Sequence, residues 1–193
     1  LVQLQNAVKT NAFLLNTDNG RPKAELGYNK IGQYTFDFKA VSASGNDIQY
    51  EPSVTVLTED TVMENGVVYM AQKARELSSE EVTITLPKKI TLAPNGETDI
   101  NVKIELTEKG KENLKKDFPN GIYIEGYVTL NPIQNGEVAL SYPFMGFFGD
   151  WQALPMFDSD IYDDETASIC ETQIGQFRNS DGGGYILGHN YYV

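Results

Sequence analysis

The chain has 193 residues, a net charge of −12, 40 % hydrophobic residues, one cysteine and one histidine. That is enough apolar material for a packed core, but no run approaches the roughly 20 apolar residues of a membrane span. The acidic balance argues against a nucleic-acid surface, and a single cysteine excludes an internal disulfide.

Residues 1–9, LVQLQNAVK, have helical spacing, with Leu1, Leu4 and Val8 on one face. A helix this short is unstable alone in water and needs a surface to pack on. The chain opens on Leu1 with no basic-then-apolar leader. A cytosolic chain and a piece of a longer secreted polypeptide both fit that opening, and the absence of an initial Met favours the second.

From about residue 12 the period becomes two. QYTFDFKAV places Tyr34, Phe36, Phe38 and Ala40 on one side, and EVTITL places Val82, Ile84 and Leu86. ETDINVKIEL is the clearest run, with Ile100, Val102, Ile104 and Leu106 inward and Asp99, Asn101, Lys103 and Glu105 outward. IYIEGYVTL turns Ile122, Ile124, Val128 and Leu130 to one face, and EVALSYPF does the same with Val138, Leu140, Tyr142 and Phe144. Half-buried antiparallel strands read this way. Turn signals separate them: NTDNGRP, SASGND, MENG, LAPNGE, FPNG and IQNGE. One helical interlude, TEKGKENLKKDF, has Leu114 and Phe118 as anchors and Thr107 as N-cap, and it carries the chain between sheets. The pattern predicts an all-β, two-sheet sandwich with one short helical connection.

SYPFMGFFGDW, residues 141–151, continues the strand expected from Glu137. Pro143 has no N–H to donate, which predicts a sheet edge or a bulge there. Phe147, Phe148 and Trp151 are the candidate inter-domain or partner contacts, with core filling as the competing role for each. Beyond residue 157 the composition changes. Residues 158–193 hold seven acidic side chains against Arg178 alone, half of the net charge of −12.

Candidate chemistry is sparse. Cys170 and His189 lie apart in sequence and no Gly-x-Ser-x-Gly elbow occurs, so neither a triad nor a cysteine nucleophile is expected. One His and one Cys fall short of a zinc set, and DGGGY lacks the Lys-Ser/Thr of a phosphate loop. No cofactor is expected. Asp158, Asp160 and Asp163 in DSDIYDDE are the metal candidates, for calcium, with a solvated linker as the favoured alternative. Eleven tyrosines leave a sugar-stacking platform open beside ordinary packing. Two carboxylates acting on a glycoside remain a third alternative.

FPNGIYIEGYV (118–128) and LSYPFMGFFGDW (140–151) together resemble the first fibronectin type III-like domain of cell-envelope subtilisin-like serine proteases, the family of the lactocepins and the streptococcal complement-inactivating peptidase. The resemblance covers about residues 12–157. LVQLQNAV resembles the tail of that family's last catalytic-domain helix, and IYDDE and GYILGHN resemble the opening of its next β-rich module. The resemblance implies three parts: a C-terminal helix of an upstream catalytic domain at 1–11, an Fn3-like sandwich at 12–157, and the partly extended start of a following β-rich module at 158–193. It further implies an extracellular place on a bacterial cell surface and a non-catalytic role in a protease whose catalytic residues lie upstream. The implied partners are the flanking domains of the same chain and protein substrate. A stand-alone adhesin or carbohydrate-binding sandwich is the alternative.

Overall fold

A computed structural model describes residues 4–152, 173–177 and 184–189. The chain divides into two compact units, Leu1–Asp150 and Trp151–Val193. In the first, α1 (Leu4–Lys9) precedes β1 (Ala12–Asn16), β2 (Ala24–Asn29), β3 (Gln33–Ser42), β4 (Ile48–Glu64), β5 (Val67–Glu76), β6 (Val82–Thr85), β7 (Ile90–Leu92) and β8 (Glu97–Leu106). After α2 (Glu108–Asp117) come β9 (Ile122–Pro132) and β10 (Leu140–Phe148). One sheet has the order β1-β3-β8-β6. The other runs β2-β10-β9-β4-β5, with β7 on β4. In the second unit β11 (Gln173–Phe177) pairs antiparallel with β12 (Gly184–His189).

The expected faces are the buried faces. In β8, Ile100, Val102 and Ile104 have no exposed surface, and in β9 Val128 and Leu130 have none. The two sheets meet through an aromatic stack: Phe38 lies 4.3 Å from Tyr142 at 13°, and Phe36 lies 5.4 Å from Phe144. Each such ring buries on the order of 150–250 Å² and dominates the packing of a core this size. Helix α2 joins the sheets as its sequence predicts. Thr107 Oγ1 accepts from Gly110 N at 3.1 Å as N-cap, and Leu114 is fully buried.

The closing strand differs from expectation in two ways. It starts at Leu140 rather than Glu137, because Asn135-Gly136 extends the preceding turn and leaves Val138 half-buried outside the ladder. It is also no edge strand, since β9 pairs with it antiparallel and β2 pairs with it parallel. The proline rule holds locally. The β2 ladder begins at Phe144, so Pro143 sits where β10 has one partner only, and the bulge falls between Met145 and Phe147. Pro52 in β4 is placed alike: β7 ends at Tyr50 and β5 begins at Leu57.

The long hairpin of β4 and β5 is an element that alternation does not reveal. Its turn, Asn65-Gly66, takes positive φ at both positions (52° and 82°), as a two-residue hairpin requires.

Candidate contact surfaces

Three features of the sandwich are candidates for contact. The first is the exit after β10. Phe147 and Phe148 are 8 % and 3 % exposed, so both serve the sandwich itself. Phe147 is seated by two glycines. A Cβ on Gly121 would come within 2.6 Å of its ring, and one on Gly149 within 2.7 Å. Tyr123 meets it edge-on at 5.3 Å and 75°. The Lys115 ammonium stands 5.8 Å above the Phe148 ring. Gly149 N donates to Asn29 O at 2.9 Å, and Lys30 pairs with Asp150. These contacts hold Gly149 and Asp150 at the end of the sheet. Trp151 is 49 % exposed. Asp158, Asp160, Asp163 and Cys170 lie outside the described residues. Among the described residues no group of three or more His, Cys, Asp or Glu side chains is placed to hold a metal ion.

The second feature is the outer face of the larger sheet. Tyr123, Glu125 and Tyr127 alternate outward along β9, opposite Phe147, Met145 and Pro143 of β10. Tyr28 of β2 lies opposite Phe147. Tyr28, Tyr123, Tyr127 and Met145 are 42–48 % exposed. Beside them is a shallow cleft of about 190 Å³ between Tyr127, Pro143 and Met145, flanked by Glu25 and Glu125. Gly126 forms part of its floor. A Cβ there would fall 2.0 Å from Thr55 O, which is why the strand reads Glu-Gly-Tyr.

The third is the β4–β5 ribbon. β9 follows β4 only as far as Leu57 opposite Glu125. From Thr61 to Met70 the ribbon continues with two strands alone among the described residues. Its root is clipped by Glu81, which is 6 % exposed. Arg75 Nη1 donates to both carboxylate oxygens at 2.9 and 3.1 Å, Ser78 donates its N–H and hydroxyl at 3.1 Å, and Asn113 of α2 donates at 3.3 Å. Burial opposes ionisation of Glu81, but these donors outweigh it and hold the carboxyl at about 2. The clip is structural: all its donors are committed to one carboxylate.

The fold is that of an all-β, two-sheet sandwich of the fibronectin type III or immunoglobulin-like class. The Fn3-like domain family profile matches residues 27–145, and the chain belongs to that family. Among curated proteins, C5a peptidase of Streptococcus pyogenes serotype M1 is 30 % identical over 81 residues, covering 42 % of this chain and 7 % of that protein. The PI-type proteinase of Lactococcus lactis subsp. cremoris is 26 % identical over 159 residues, covering 80 % of this chain and 8 % of that protein. The chain thus spans less than a tenth of the length of either relative.

Proposed function

We infer that this chain is an accessory module of a secreted, cell-surface subtilisin-like serine endopeptidase. It braces the catalytic domain and helps to dock protein substrate, while the catalytic residues lie outside residues 1–193. The observation that carries this reading is the match to two named proteases, each of which the chain covers over less than a tenth of its length. The two quoted motifs, whose glycines seat Phe147 and close β9 on β4, support it. In this reading residues 1–11 close the preceding catalytic domain, 12–157 form the sandwich, and 158–193 begin a further β-rich module. Trp151 is the contact to a flanking domain, and Phe147 and Phe148 close the sandwich before it.

The test is covalent labelling of the full encoded polypeptide with a fluorophosphonate, followed by mapping of the modified peptide. The expected label is one serine outside residues 1–193. A label inside them, or none anywhere, overturns the reading. The exposed Tyr28, Tyr123 and Tyr127 favour a second reading, a sugar platform. Saturable binding to a glycan array, lost on Tyr127→Ala, would select it.

A further inference from the structure

The β4–β5 ribbon exposes apolar side chains that packing among the described residues does not use. Val62 lies opposite Tyr69 on one face, and Met63 opposite Val68 on the other, with Thr61 opposite Met70. These apolar side chains are 42–69 % exposed, on both faces at once. A two-stranded ribbon is marginal in water, and a third strand is what stabilises it. β5 ends the sheet order, so the outer N–H and C=O groups of Val67–Glu76 face no strand among the described residues. Natural edges are blunted by proline, by charge or by brevity. Residues 67–72, VVYMAQ, have none of these, and β5 is 10 residues long. The opposite edge differs, because β4 places Glu59, Asp60 and Glu64 along the same stretch.

We propose that the outer edge of β5 captures an extended polypeptide segment by strand addition. A row of free main-chain donors and acceptors fits another main chain and nothing else so well. Apolar side chains at alternate positions of the incoming strand lie against Val68 and Met70 on one face and Tyr69 on the other. Lys73 has no ion pair among the described residues, in a chain of net charge −12, and it selects an acidic residue on the incoming strand. The occupant is therefore an unfolded or loop segment of a protein, apolar and mildly acidic. The proposal deepens the docking part of the reading above and rests on it only for the segment's role as substrate.

The test uses the whole chain and a fluorescent ten-residue peptide of alternating valine and threonine with one central glutamate. Saturable binding is expected, with slowed amide exchange confined to residues 67–72. A version N-methylated at alternate residues keeps every side chain but loses one hydrogen-bonding edge, and should bind at least about tenfold more weakly. Val68→Lys, at a half-exposed site, should weaken binding to a similar degree with amide exchange elsewhere unchanged. Equal binding of the N-methylated peptide, protection elsewhere, or no saturation by about 1 mM overturns the proposal. Protection of 67–72 without peptide, rising with protein concentration and doubled mass, assigns the edge to a second copy and also overturns it. None of these outcomes depends on where the fluorophosphonate label falls, so the two claims fail separately.

Discussion

Glu81 offers the most quantitative check of how the sandwich holds its ribbon. Its carboxyl lies at about 2 against an ordinary 4.5. That difference corresponds to about 3 kcal/mol of folding free energy. Because the folded value is depressed, the contribution is complete above the unfolded value and disappears as pH falls. By pH 3 about 2 kcal/mol of it is gone, and by pH 2 nearly all. Glu81→Gln removes the charge, keeps the size, and turns an amide donor toward the Arg75 and Ser78 donors. At pH 7 it should lower Tm by about 6–12 °C for a domain of this length. Melts followed by circular dichroism at intervals from pH 7 to pH 2.5 test this. The gap between wild type and Glu81→Gln should be constant above pH 5.5 and close steadily below 4.5. A gap that stays constant down to pH 3, or is under about 1 °C at pH 7, would mean that the Glu81 charge does not stabilise the fold.

Gly126→Ala drives a methyl to 2.0 Å from Thr55 O. The β4–β9 ladder must open, costing about 1–3 kcal/mol or more, which urea unfolding measures as a lower midpoint at unchanged slope. Phe147→Ala empties the site between Gly121 and Gly149 and should cost about 3–5 kcal/mol in this chain alone. Trp151→Ala, by contrast, should change the melting of this chain by no more than about 0.5 kcal/mol while increasing protease sensitivity at the junction in the full polypeptide. An equal loss in both settings would place Trp151 in the sandwich rather than at a contact.

Much of the fold is legible in the sequence, for a physical reason. β3, β8 and β9 bury one face and wet the other, so each writes a period of two. Thr107 is a cap that the Glu108–Asp117 helix requires. The β4–β5 hairpin is not legible that way. β4 has strands on both sides only at Tyr50 and Leu57, and Pro52 interrupts it, while the far half of the ribbon exposes both faces, so no single face selects apolar residues. Only Met-Glu-Asn-Gly signals its turn. Glu81 is equally silent, since its donors come from β5, the loop before β6 and α2. The aromatics of 141–151 announce importance without dividing it: burial separates Phe147, seated by Gly121 and Gly149, and Phe148 from the half-exposed Trp151.

In the proposed role, the module contributes substrate handling, and no chemistry, to a protease. The measurement closest to that role is kcat/KM of the full encoded polypeptide on a denatured protein relative to a short chromogenic peptide. It is made with and without residues 12–150, with active sites counted by fluorophosphonate. The ratio should fall at least about tenfold on deletion, the loss of roughly 1.4 kcal/mol of docking to long chains. An unchanged ratio would contradict that role.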